Sequence, residues 1–203
     1  GVATQKHNPS YVSDIEYDTR KLELYAEADD AVRDADIIIF CVPSKYIDSL
    51  CKNITIDLSQ KQLVTAVKGM ETEQQMLVSE FLQQRFGVTN DQLAVISGPC
   101  HAEEVALERM SYLTIGSSNQ ELAKEVADIL SVSFIRTSLS YDMEGIEYSA
   151  VMKNIMALAT GIAHGLGYGD NFTSVLITNA IQEMKRFLDT VKPTPRDIND
   201  SVY

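Results

Sequence analysis

Asp36-Ile37-Ile38-Ile39-Phe40-Cys41-Val42 runs directly into Pro43-Ser44. After its leading aspartate the run is apolar without a break, and it stops at a proline. Such a run reads as a strand buried on both faces, the kind that parallel sheets contain. Leu63-Val64-Thr65-Ala66-Val67 and Leu93-Ala94-Val95-Ile96-Ser97 repeat it in shorter form. Tyr112-Leu113-Thr114-Ile115-Gly116 and Phe134-Ile135-Arg136-Thr137 supply two further strands. Helical patterns lie between them. Residues 24–34 form one, with Ala28, Ala31 and Val32 apolar, and residues 72–86 form a clearer one, with Met76, Leu77, Glu80 and Phe81 at helical spacing. Residues 119–130 open on Asn119, a good N-cap, and carry Leu122, Val126, Ile129 and Leu130 on one face. Strands alternating with helices predict a parallel α/β sheet with crossover connections.

Beyond about residue 141 the pattern changes. Residues 142–164 and 172–188 are two long helical patterns with no strand between them, so a separate all-helical domain is expected to begin near residues 138–145. The tail Val191-Lys192-Pro193-Thr194-Pro195 ends the second helix. With 203 residues, 45% of them hydrophobic and 23% charged, the chain is ordinary for a folded domain or two. Lys and Arg number 17 against 29 Asp and Glu, a net charge of -12. That balance argues against a nucleic-acid partner, because binding a phosphate polymer depends on neutralising it with cations. Cys41, Cys51 and Cys100 show no paired spacing, which argues against a metal knuckle and fits a reducing cytoplasm. No secretory signal is present and no apolar run approaches a membrane-spanning length, so no membrane insertion is expected.

Three strand ends carry residues suited to chemistry. Pro43-Ser44 closes the first run, Lys68-Gly69 follows the second, and Ser97-Gly98-Pro99-Cys100-His101 closes the third. Ligands of open α/β sheets bind at the carboxyl ends of the strands. There a lysine can meet a phosphate or polarise a carbonyl, and small residues let backbone N–H groups face an anion. Each turn is also compatible with an ordinary strand-to-helix connection. Cys100 and His101 are adjacent in sequence, so their side chains diverge and a nucleophilic dyad is not expected. Glu103 and Glu104 suit the first turn of a helix better than a catalytic carboxylate pair.

The helical part contributes Lys153, set among Val151, Met152, Ile155, Met156 and Leu158, and followed by Gly165-Leu166-Gly167-Tyr168-Gly169-Asp170-Asn171. Burying a lysine is costly unless it is paired or its pKa falls, which makes Lys153 a functional candidate. A snorkelling surface lysine is the plainer alternative. Ser149, Lys153, Thr160 and His164 fall on one stripe, within a sector of about 60° at 3.6 residues per turn, and that face is placed to close over the strand ends. His164 reads as a hydrogen-bonded helix-end residue. The G-x-G-x-x-G turn and hydrophobic strand that open a dinucleotide-binding sheet are not found, so the chain reads as an internal piece of something longer.

In order along the chain stand His7-Asn8-Pro9-x-Tyr11, Ala35-Asp36-Ile37-Ile38, Val42-Pro43-Ser44 and Lys68-Gly69-Met70-Glu71. Ser97-Gly98-Pro99, Ala102-Glu103-Glu104-Val105, Asp142-x-x-Gly145-x-Glu147, Lys153-Asn154, the Gly165–Asn171 turn and Glu183-Met184 complete the series. This ordered set resembles the bacterial type of NAD(P)-dependent glycerol-3-phosphate dehydrogenase. The most specific part is Lys153-Asn154 followed by the glycine-rich turn.

The resemblance implies an incomplete Rossmann-like parallel sheet over residues 1–141, followed by the start of an all-helical substrate domain over residues 142–203. It implies hydride transfer between glycerol 3-phosphate and dihydroxyacetone phosphate with NAD or NADP, supplying glycerol 3-phosphate for phospholipid synthesis. Lys153 would be the general base, its pKa lowered by apolar neighbours and by Lys68. Lys68, Gly98, Cys100 and Asn154 would contact substrate, and Lys68, Pro43, Ser44 and Ala102 the coenzyme, with no metal. The partner would be a small phosphate ester, and a homodimer stays open. Cys100 stands where the bacterial enzymes usually carry serine, and a thiol donates more weakly. The glycine fingerprint and the later Ser-Arg-Asn phosphate clamp of the family are not in the chain, so this piece by itself is expected to be inactive or nearly so. Two rivals stay open: a related β-hydroxyacid or ketopantoate-type dehydrogenase, and an inactive fragment with a binding or oligomerisation role.

Overall fold

A computed structural model describes residues 2–13 and 15–196. A first helical turn, α1 (Val2–Gln5), precedes α2 (Ala28–Val32), β1 (Ile37–Phe40), α3 (Ile47–Lys52) and β2 (Gln62–Thr65). A small hairpin of β3 (Met70–Glu71) and β4 (Met76–Leu77) leads into α4 (Val78–Phe86) and β5 (Leu93–Ser97). Next come α5 (Ala102–Ala106), β6 (Ser111–Gly116), α6 (Gln120–Leu130) and β7 (Ile135–Ser140). Two long helices, α7 (Met143–Gly165) and α8 (Asp170–Val191), complete the described chain.

The main sheet has the order β1-β2-β5-β6-β7. Its alternating side chains feed two cores, one on each face. Ile38, Phe40, Leu63, Leu93 and Val95 point to one face, where α3, α4 and the start of α7 deliver Ile47, Leu82, Phe86 and Ile146. Val64, Ala94 and Ile115 point to the other and meet Leu122, Ala123, Val126 and Ala127 of α6. The architecture is therefore Rossmann-like, followed by a helical part. Fully buried leucines such as Leu63, Leu82 and Leu93 each contribute about 1.5–3 kcal/mol of transfer free energy. Cys51 belongs to the first core, where burial pushes its thiol up to about 12 and leaves it an inert packing group.

Four local expectations are corrected. The pairings β1–β2, β2–β5 and β6–β7 are parallel as predicted, but β5 and β6 run antiparallel. Only the five-residue α5 lies between them, too short to carry the chain back along the sheet for a parallel restart. The first strand is fully buried on one face and only partly on the other. Ile38 and Phe40 are buried in the first core, Ile37 packs at the margin of the second, and Ile39 stays 39% exposed.

The helix expected over 72–86 begins only at Val78. The Glu71 carboxylate accepts from the backbone N–H groups of Glu73 (2.8 Å) and Gln74 (2.7 Å), and this closes residues 70–77 into a hairpin. The helix over 24–34 shrinks to α2, since Leu24 and Tyr25 find no surface to bury against and remain more than half exposed.

On α6 the cap is as predicted, with the Asn119 side chain accepting from Glu121 N (3.0 Å) and Leu122 N (3.3 Å). Its buried arc runs from Leu122 through Ala127, which leaves Ile129 outside it and 59% exposed. Asn119→Ala is expected to cost about 1 kcal/mol, read as a lower denaturation midpoint at unchanged m-value.

Helix α7 starts from Asp142, whose carboxylate accepts from Gly145 N (3.0 Å) and takes a bidentate pair from the Arg196 guanidinium at 2.6 and 3.1 Å. Met143, Gly145, Ile146, Glu147 and Ser149 are buried, and from Val151 onward only Ala163 is. Helix α8 returns along α7 with Ala180, Met184 and Leu188 buried at four-residue spacing, and the Phe187 ring meets Tyr148 edge-on at 5.4 Å. No helix among the described residues is long and apolar enough to cross a membrane.

Candidate functional site

The end of β2 is shaped by Thr65, whose hydroxyl accepts from Val67 N (3.1 Å) and turns the chain so that Lys68 leaves the sheet at its carboxyl edge. At the end of β5 the turn is set by Gly98, with φ +126. A Cβ there would lie 2.4 Å from the Tyr112 carbonyl oxygen and 3.1 Å from Leu113 Cα, so only glycine lets this loop lie against β6. Gly98→Ala is expected to cost about 2–3 kcal/mol and to deform the loop, measured by chemical denaturation alongside binding of inorganic phosphate.

Helix α7 crosses in front of these two turns. Together they enclose a cavity of about 170 Å³ lined by Lys68, Ser97, Gly98, Pro99, Cys100, His101, Ala150, Lys153 and Asn154. The structure thus brings together Lys68, Gly98, Cys100, Lys153 and Asn154, five of the residues singled out from sequence. Its lining holds two lysines and no carboxylate, and neither lysine forms an ion pair among the described residues. In a chain of net charge -12, such a cavity is a local positive site suited to a small anion.

Ala150 lines the cavity although sequence reading passed over it. It stands three residues before Lys153, on the same helix face, where a larger side chain would fill the space. Its signal in the sequence is only that a small residue occupies that position.

Pro43, Ser44 and Ala102 lie outside this cavity. Pro43 precedes a 3-10 turn at Ser44–Tyr46, at the end of β1. Gly69, with φ +124, brings the β2 turn against it, since a Cβ on Gly69 would sit 2.8 Å from Ser44 Oγ. The ends of β1 and β2 therefore form one continuous rim at the strand termini, a place where an extended cofactor can lie with its backbone-facing edge close to the chain. Ala102 opens α5 beside His101. Among the described residues no group of three or more His, Cys, Asp or Glu is placed to hold a metal.

The four-residue stripe on α7 does not converge. Ser149 is buried, Lys153 lines the cavity, the Thr160 hydroxyl bonds back to the Met156 carbonyl (2.9 Å), and His164 is exposed in the last turn. Nor do the apolar neighbours of Lys153 enclose it. The lysine is exposed, and Ile155, Leu158 and Ile162 are themselves 60%, 66% and 56% exposed, because no described element covers that side of α7.

The fold and this site define a class: a chain with a Rossmann-like sheet, a cavity at its strand ends, and a helix that brings a lysine across it. Residues 1–123 match the N-terminal model, and residues 142–202 the C-terminal model, of NAD-dependent glycerol-3-phosphate dehydrogenase. The chain belongs to that family. It is similar to a glycerol-3-phosphate dehydrogenase [NAD(P)+] of Levilactobacillus brevis, 36% identical over 188 residues, covering 90% of this chain and 56% of that protein. Its likeness to the Clostridium botulinum protein of the same name is 32% over 182 residues, 89% and 54% of the two chains. The chain spans about half the length of these curated relatives.

Among solved structures, a glycerol-3-phosphate dehydrogenase from Coxiella burnetii superposes with a TM-score of 0.82 at 26% identity, over 95% of this chain and 58% of that one. The Plasmodium falciparum structure of that name gives 0.87 at 23% identity, over 97% and 55%, and speaks to the fold alone.

Proposed function

We propose that the full-length protein is an oxidoreductase interconverting glycerol 3-phosphate and dihydroxyacetone phosphate with a nicotinamide coenzyme, NAD or NADP. Residues 1–141 serve the coenzyme and residues 142–203 begin the substrate part. The observation that carries this reading is the cavity between Lys68, the Ser97–His101 turn and Lys153-Asn154, cationic in an acidic chain and placed at the strand ends.

Lys68 and the Gly98–Cys100 backbone hold the anionic end or the carbonyl of the substrate, and Asn154 orients its hydroxyl. Lys153 accepts the hydroxyl proton as the hydride leaves the same carbon, and in reverse it returns the proton to the carbonyl oxygen. Pro43, Ser44, Lys68 and Ala102 flank the coenzyme along the rim of strand ends. The coenzyme itself, when bound, supplies the hydride acceptor or donor.

The reading places the protein in the cytoplasm, where it supplies glycerol 3-phosphate for phospholipid synthesis. It acts on a small phosphate ester rather than a nucleic acid, and a homodimer is compatible with it. Oxidation of NADH or NADPH by the full-length protein tests it, with dihydroxyacetone phosphate, ketopantoate and a β-ketoacid as competing substrates. Turnover confined to the phosphate ester is the expected result. Turnover of the other substrates, or none with either coenzyme, would overturn it.

A further inference from the structure

Outside the cavity, α7 carries a deeply buried acid, Glu147, 3% exposed. It lies on α7, six residues before Lys153, and reaches to the beginning of α4. There its carboxylate accepts the backbone N–H of Ser79 (3.1 Å) and the Ser79 hydroxyl. Ser79 is itself 2% exposed and is the second residue of its helix, so its N–H has no partner within α4. The contact joins residues 68 apart in sequence. Helix α4 in turn is fixed to the sheet through Val78, Phe81, Leu82 and Phe86.

A buried carboxylate is a poor way to gain stability. Its desolvation offsets much of what its hydrogen bonds return, and an apolar residue of like volume generally stabilises as well or better. What two directed hydrogen bonds add is position. Apolar contacts tolerate sliding, whereas a slip of one residue along α7 would move the helix by about 1.5 Å and rotate it by about 100°. Burial on α7 ends at Ser149, apart from Ala163, so Lys153 stands just beyond the anchored stretch. Its place in the cavity is inherited from the turn below it.

We propose that Glu147 is a positioning residue: bonded to Ser79, it fixes the height and rotation of α7 and so sets where the Lys153 amine sits in the cavity. The inference rests on the reading of Lys153 as the base. Glu147 does not line the cavity, and its carboxylate bonds to Ser79, which does not line it either, so it acts only through the helix.

Three variants of the full-length protein test this. Glu147→Gln keeps an oxygen for the Ser79 N–H and offers its amide to the Ser79 hydroxyl, whereas Glu147→Leu keeps the volume and loses the direction. The leucine variant is expected to stay folded, with a Tm within about 5 °C of wild type. Its kcat with dihydroxyacetone phosphate should fall about ten- to hundredfold, as expected for a misplaced catalytic group, while coenzyme KM changes less than about twofold. Glu147→Gln should recover most of the loss, and Ser79→Ala should lower kcat in the same direction, non-additively with the leucine change.

Wild-type kcat in a folded leucine variant would overturn the inference, as would a glutamine variant that falls as far as leucine. A leucine variant that does not fold leaves the decision to Ser79→Ala, which trims only the hydroxyl. An unchanged kcat there, with glutamine also at wild-type level, overturns the proposal too. A wild-type protein without turnover sinks the dehydrogenase reading itself, a failure seen before any variant is compared.

Discussion

Lys153→Ala in the full-length protein is expected to lower kcat with dihydroxyacetone phosphate by about 10²–10⁴, the usual contribution of a positioned general acid–base. Substrate binding should weaken far less. Lys68, Asn154 and the Gly98 turn remain in the cavity, and on the proposed reading they are the groups expected to hold the anion whether or not the proton can move. Stability should change little, because Lys153 is exposed and forms no ion pair among the described residues. The measurement is therefore a pair: steady-state kinetics and a thermal melt on the same preparation. A large fall in kcat at unchanged Tm supports the base. A fall in Tm with kcat preserved per folded molecule would make Lys153 a structural residue.

The second large effect concerns pH. Burial pushes the Glu147 carboxyl up from 4.5 to about 7, against the pull of its bonds from Ser79, and the neighbouring Glu80 carboxylate adds to the rise. The charged and titratable groups around it are Glu80 of α4, Glu144 and Tyr148 of α7, and Lys192 just after α8. The Lys192 ammonium bonds Glu80 (2.9 Å) and Glu144 (3.1 Å), so its charge is already engaged.

A raised carboxyl pKa means that the folded chain holds a proton which the unfolded chain has released. The stabilisation is complete below pH 4.5 and is lost as pH rises through about 7. The difference amounts to about 3 kcal/mol, from about 1.4 kcal/mol per unit. It should emerge as the stability of wild type minus that of Glu147→Gln, which cancels every other titration. That difference is expected to decline between pH 5 and pH 8, and a flat or rising difference would show that Glu147 stays ionised in the fold.

The strands were legible wherever burial comes from both faces. Leu63-Val64 and Leu93-Ala94 feed opposite cores, and no polar residue is tolerated within either pair, so the apolar run itself announces the strand. Helices α6, α7 and α8 were legible from unbroken helical patterns, and Asn119 marked the start of α6 as the cap it proves to be. What escaped was set by contacts distant in sequence or by side chains acting on backbone. Glu71 looks like one more helical acid until its carboxylate is seen closing a hairpin. The reversal of β6 depends on the shortness of α5, and helix length is the least readable property of a pattern.

Within the site, Lys68, Gly98, Cys100, Lys153 and Asn154 could be named because each sits at a strand end or beside a distinctive helix motif. The expected apolar enclosure of Lys153 failed because sequence shows which residues are apolar, not what lies over them. The Glu147–Ser79 bond was invisible for the same reason, its two ends being separated by most of the sheet.

The strand order β1-β2-β5-β6-β7 has a consequence for how the chain is made. Each strand lies beside the sheet strand that left the ribosome immediately before it, so its partner is waiting when it emerges. Pairings of this kind close short loops and keep the entropic cost of each step low. The sheet can therefore grow by addition at one edge during synthesis, with α7 emerging after its strands to cover a surface already formed. Pulse-labelled hydrogen exchange on stalled chains should find amides of β1 and β2 protected before β6 is complete, and protection of all strands only at once would refute that order.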